Sequence, residues 1–222
     1  MPTATDPSAF VRIVRPYLLA QDSAGLVDLI RSNWTVDQLA GLLGDGDADA
    51  RKVAGLCLGL VGGRPAIDPL CRQLADADPL VHQMAEHALW SIWFRLGRTP
   101  AVRSDVCRGA RAIAAREFVR AESHLDAAIA ADPAFAEAYN QRAIVHYLRE
   151  EYDDSVDDCR RTVELMPCHF GAWAGMGHCH LHLDRPRQAL RAYRRALAIH
   201  PHMDGVRQAA SELCSRIGGR AE

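Results

Sequence analysis

Residues 170–201 read FGAWAGMGHCHLHLDRPRQALRAYRRALAIHP, and the placing of small and aromatic residues in that stretch decides the fold. Two apolar-periodic segments lie on either side of a polar turn. Small residues such as Gly177 and Ala189 let two helices approach closely, Trp173 and Tyr193 fill the space beside them, and Pro201 stops the second helix. Equal steps towards the N-terminus find the same residue types again. Pro133, Pro167 and Pro201 form one series; Ala121, Ser155 and Ala189 a second; Ala128, Thr162 and Ala196 a third; Gly109, Ala143 and Gly177 a fourth. Such a constant period marks one helical hairpin per repeat, each leaving an apolar face that only the next can cover.

The series Trp173, Met176, Gly177, His180, Ala189, Tyr193, Ala196 and Pro201 resembles the tetratricopeptide signature, W-x2-L-G-x2-Y followed by A-x3-F and a closing proline. The register sets units at 102–135, 136–169 and 170–203, with residues 204–217 as a further amphipathic helix capping the open end. The first unit matches least well, because Asp105 and Arg108 stand where Trp173 and Met176 stand later. The N-terminal half has a different, shorter step. DGDADARKVAGLCLG (45–59) aligns with DADPLVHQMAEHALW (76–90), and at the same offset Leu39 and Leu43 pair with Leu70 and Leu74. This pattern resembles HEAT-type hairpins. Residues 8–33 add one or two irregular capping helices, and GRTP (97–100) marks the junction, with Trp90, Trp93 and Phe94 just before it. The expected fold is therefore all-α: an α-solenoid of helical hairpins, HEAT-like over 1–100 and tetratricopeptide-like over 101–222.

A hydrophobic fraction of 49% with 24% charged residues suits a chain that buries a core. The net charge of −2 comes from 26 basic and 28 acidic residues, and the N-terminal half holds 9 basic against 11 acidic ones, so no broad phosphate-binding surface is expected. Nucleic acid is not an expected partner. The seven cysteines are odd in number, form no C-x-x-C pair and sit in apolar helical stretches, which predicts a reducing compartment and mostly buried thiols. No apolar run approaches membrane-spanning length, and the N-terminus lacks an apolar core behind a basic start. A soluble, cytoplasmic protein without a membrane partner is expected.

His178, Cys179, His180 and His182 invite a metal reading. On a helix His178 and His182 share one face while His180 points nearly opposite, so the three histidines cannot hold one ion. His180 occupies the tyrosine position of the repeat, one period after His146, and is expected to be a packing residue. A histidine pair alone leaves the remaining coordination to water, so no metal site is assigned. Asp45, Asp47 and Asp49 imitate a calcium loop, but no glutamate closes it, and the recurrence at Asp76 and Asp78 points to helix capping. The run EEYDDSVDD (150–158) is expected to be a solvated outer face, with Asp157 paired to Arg161. No G-x-S-x-G, P-loop, G-x-G-x-x-G or H-E-x-x-H is present, so neither catalysis nor a cofactor is expected.

The tetratricopeptide resemblance implies a non-enzymatic adaptor that binds a protein or peptide in a concave groove lined by the first helices. Its candidate contacts are Glu137, Asn140, Gln141, Ile144 and Tyr147 on the second unit and His178, Leu181 and His182 on the third, with Asn140 and Tyr147 best placed. The same resemblance disfavours a chaperone-tail carboxylate clamp. At the corresponding positions stand Val106, Ala110, Asn140, Gly171 and Gly175, of which one is polar. The HEAT-like half implies an alternative, a small-ligand or chromophore-handling protein akin to bilin lyases.

Overall fold

The computed structural model describes residues 6–218, and among these every regular element is helical. Contacts divide the chain into two units, Met1–Arg95 and Leu96–Glu222. In the first, α1 (Pro7–Leu19) and α2 (Ser23–Asn33) are the irregular leading helices. Two hairpins follow: α3 (Val36–Leu42) with α4 (Ala48–Val61), then α5 (Ile67–Gln73) with α6 (Pro79–Trp93), a short 3-10 turn at Arg64–Ala66 leading into α5. The starts of α3 and α5, and of α4 and α6, are separated by the same offset that carries Asp45 onto Asp76 in the sequence.

The aspartates cap these helices. Asp47 accepts from the Asp49 N–H at the start of α4, and Asp78 from the Leu80 N–H at the start of α6. Earlier in each turn, Asp45 and Asp76 accept from the N–H groups of Asp47 and Asp78. Arg51 then bridges to Asp76 at 2.9 Å and Lys52 to Asp78 at 3.0 Å, so the second acidic turn orients a helix start and also ties one hairpin to the next.

The second unit begins near Thr99, whose side chain caps α7 (Pro100–Ala114) by accepting from the Val102 N–H. It continues with α8 (Phe118–Ala131), α9 (Ala136–Leu148), α10 (Tyr152–Leu165), α11 (Phe170–His182), α12 (Pro186–Ile199) and the closing α13 (Asp204–Gly218). Helices α9 and α10 map onto α11 and α12, start for start and end for end, after one period of the sequence. Each first helix packs on its own second helix, and each second helix packs on the element that follows. The turn inside each hairpin repeats as well. Arg116, Glu150 and Asp184, one in each repeat, all adopt positive φ, of 60°, 64° and 51°.

Close approach inside the hairpins is set by one pair of positions. Gly109, Ala143 and Gly177 on the first helices oppose Leu125, Cys159 and Tyr193 on the second. Where the first helix has glycine, the facing residue is large: a methyl at Gly177 would overlap the Tyr193 ring, and one at Gly109 the Leu125 side chain. Where it has alanine, the facing residue is the small Cys159, and both lie in one buried cluster. Cys57 and Cys179 are also buried, whereas Cys71, Cys107 and Cys168 are half-buried and Cys214 is exposed.

Gly177→Ala should destabilise the second unit by about 1–3 kcal/mol, since the Tyr193 ring has no room to retreat; urea denaturation measures it. Glu150→Gly should instead stabilise by roughly 0.5–1 kcal/mol. It removes a side chain from a left-handed backbone position at a smaller entropic cost, and the same denaturation series reports the sign.

Candidate functional site

The sequence places eight candidate contacts on α9 and α11, and the structure sorts them into two layers. Glu137, Asn140 and Gln141, on the first two turns of α9, are buried, Glu137 being 1% and Asn140 4% exposed. Their polar atoms are engaged with one another. Glu137 Oε1 accepts from Asn140 Nδ2 at 3.1 Å and from Gln141 Nε2 at 2.7 Å. His169, the N-cap of α11, accepts from the Ala172 N–H through Nδ1 at 3.0 Å, which puts the ring proton on Nε2. That nitrogen donates to Glu137 Oε2 at 3.1 Å. A carboxylate sequestered from water thus receives three donors from two consecutive repeats, the condition under which such burial is tolerated.

The outer layer is different. Ile144 is 36% exposed and Leu148, one turn on along α9, is 43% exposed. Tyr147 and Leu181 are half-buried, and His178 and His182 are exposed. Tyr147 Oη lies 3.1 Å from His182 Nε2, and the His182 ring stacks on Tyr152 at 4.4 Å with planes 8° apart. Tyr193 Oη lies 2.8 Å from His178 Nδ1. Each of the two histidines is therefore held by a different tyrosine hydroxyl. Partial desolvation of the ring, then the neighbouring His182, lowers the pKa of His178. Leu148 was missed in the sequence, although its i, i+4 relation to Ile144 marks it as part of the same stripe.

His180 faces the other way and is buried, as its repeat position implies. The acidic run of α10 departs from expectation at two residues. Asp157 pairs with Arg160, one turn away, and Arg161 with Glu164. Asp158 is buried and grips Arg142 through Nε and Nη2, both at 2.8 Å, while Asp126 takes Nη1 at 2.7 Å. The guanidinium explains why Asp158 turns inward: it offers a planar fork that a carboxylate matches. Beside it, His146 Nδ1 lies 2.8 Å from Glu151 Oε2 and its Nε2 3.6 Å from Asp158 Oδ2. Among the described residues, His146, Glu151 and Asp154 are close enough to share an ion. Arg149 already bridges to Glu151 at 2.7 Å, which makes the group part of an ion-pair network.

An array of two-helix units in constant register, with exposed apolar side chains on α9 beside a buried polar cluster, defines a helical-repeat protein. Residues 170–203 match the tetratricopeptide repeat family, which places one repeat of that kind on α11 and α12. It is 29% identical over 109 residues to a TPR repeat-containing protein of Rhizobium etli, a match covering 49% of this chain and 53% of that one. It is 32% identical over 100 residues to the Hsp70-Hsp90 organizing protein of Triticum aestivum, covering 45% and 17%. The chain thus spans about half or less of the length of these relatives. In fold, it is similar to the first TPR domain of Spaghetti (RPAP3) bound to the HSP90 peptide SRMEEVD, with a TM-score of 0.52 at 16% identity over 53% of this chain and 94% of that one. Among the described residues no helix is long and apolar enough to cross a membrane.

Glu137→Ala should cost about 3–5 kcal/mol, because it strands the donors of Asn140, Gln141 and His169 in a dry environment. Thermal unfolding followed by circular dichroism reads the loss. A cost below about 1 kcal/mol would mean that water reaches the cluster.

Proposed function

We propose that the second unit is a protein-interaction adaptor that captures a peptide segment of a partner on the exposed stripe of α9 and α11. Ile144, Tyr147, Leu148, His178, Leu181 and His182 form the contact layer. Glu137, Asn140 and Gln141 form the polar layer beneath, which fixes the pitch of α9 against α11. The observation that carries this reading is the pair Ile144 and Leu148, large apolar side chains left in water on successive turns beside the tyrosine–histidine pair. An aliphatic stripe flanked by half-buried aromatics with polar tips is the make-up of an interface core and its rim. Similarity to domains that bind chaperone peptides supports a peptide ligand in general.

The occupant differs from an acidic tail. At the positions that the family resemblance assigns to a carboxylate clamp the chain has Val106, Ala110, Asn140, Gly171 and Gly175, and Asn140 spends its amide on Glu137. A segment with apolar anchors suits the stripe better. The N-terminal hairpins, read as HEAT-like, complete the scaffold and carry no chemistry of their own in this reading.

Selection of a displayed random-peptide library on the intact chain tests the assignment. Enriched peptides should carry paired aliphatic or aromatic anchors, and Ile144→Ser with Leu148→Ser should weaken them by about 1–3 kcal/mol while helical content stays constant. Undiminished binding by the folded double variant would move the adaptor surface away from α9.

A further inference from the structure

The second helices of the last two repeats share a register but carry opposite charge. Helix α10 holds Asp153, Asp154, Asp157, Asp158 and Glu164, whereas α12 holds Arg187, Arg191, Arg194 and Arg195 and no acidic residue. Among the described residues, no carboxylate pairs with any of those four arginines. Arg187 with Arg191 and Arg191 with Arg195 are like charges at i, i+4, an arrangement that opposes helix formation unless something neutralises it. Three of them, Arg191, Arg194 and Arg195, border a cleft of about 550 Å³ between α11 and α12, which Trp173, Met176, His180 and Gln188 also line.

His180 supplies a second observation. It is 9% exposed, and its Nδ1 is buried without a hydrogen-bond partner. One repeat earlier the equivalent His146 faces Glu151 through Nδ1 and Asp158 through Nε2. At the equivalent positions of the last repeat those two carboxylates become Arg185 and Ala192, Asp154 becomes Gln188, and Asp157 becomes Arg191. The carboxylates that face His146 thus have no counterpart beside His180, and Arg142, which grips Asp158, is replaced by Met176.

We propose that the cleft between α11 and α12 is a docking site for an acidic peptide segment of a partner protein. Its carboxylates pair with Arg191 and Arg195, and one of them turns an oxygen towards His180 Nδ1. An apolar side chain of the same segment rests on Trp173 and Met176. This site lies on the face of α11 that carries His180, opposite the stripe of His178 and His182, so both could be occupied together. Burial, then the charges of Arg185 and Arg160, with Arg191 adding to them and Asp153 opposing, hold His180 below the ordinary imidazole pKa. A carboxylate arriving at Nδ1 acts in the other direction.

The test uses the full chain and a fluorescein-labelled peptide that alternates acidic pairs with leucine, followed by anisotropy. Binding should weaken as salt rises, fall by at least about tenfold in Arg191→Glu with Arg195→Glu, and persist in the Ile144→Ser, Leu148→Ser variant, which separates this site from the groove. The His180 ring resonances should shift with peptide and their titration midpoint should rise. Unchanged affinity in the arginine variant overturns the proposal. So does a His180 titration that ignores the peptide, or equal binding of polyuridylate, which would reveal a general polyanion surface. Arginine-dependent self-association in sedimentation without peptide binding would assign the cleft to a second copy of the chain and likewise overturn it.

Discussion

Two helices in one hairpin can pack closely only if the volumes at their point of nearest approach add up to what the gap allows, and the second unit obeys that limit three times. Gly109 faces Leu125, Ala143 faces Cys159 and Gly177 faces Tyr193. The two large residues, Leu125 and Tyr193, are each met by a glycine that leaves no room for a methyl. Everything on the first helices inherits its direction from this constraint. Ile144 and Leu148 project from α9 into water because Ala143 is turned towards α10, and His178 stands beside Tyr193 because Gly177 admits the ring.

Polar groups are placed by a second rule, which concerns where water can reach. Between α9 and α11 no water is required, because Glu137 satisfies Asn140, Gln141 and His169 at once. On the outer side of the same hairpin, Asp158, Asp126 and Arg142 form a pairing that spans three helices. Specificity of assembly follows from both, since a slip of one helix by a turn would strand a buried carboxylate in each place.

Much of this was legible in the sequence because it depends on spacing. The step from Pro133 to Pro167 to Pro201 located the repeated pairs α9 with α10 and α11 with α12, and the shorter step from Asp45 to Asp76 did the same for the starts of the N-terminal hairpins; the aspartate caps at Asp47 and Asp78 followed from their recurrence. What could not be read was depth. Asn140 and Ile144 both lie on the inward-facing side of α9 by periodicity, yet Asn140 is buried against Glu137 and Ile144 is exposed, a difference that only the packed neighbours decide. The pairing of Asp157 was equally out of reach: Arg160 and Arg161 stand at i+3 and i+4, and Glu164 and Tyr139, which draw Arg161 away, are visible only once the helices are packed. Two guanidinium groups, those of Arg142 and Arg161, lie over the Tyr139 ring at 5.8 and 5.9 Å from its centroid.

His169 has two roles that belong to different repeats. It caps α11 through Nδ1 and anchors to α9 through Nε2, so the first turn of the last repeat is properly ended only while the middle repeat is folded. In a linear array each unit ordinarily has an intrinsic stability and an interface term that can be separated. Here a single imidazole contributes to both, and the intrinsic term of the third unit cannot be defined without the second. The last two repeats should therefore exchange their amide protons as one cooperative block.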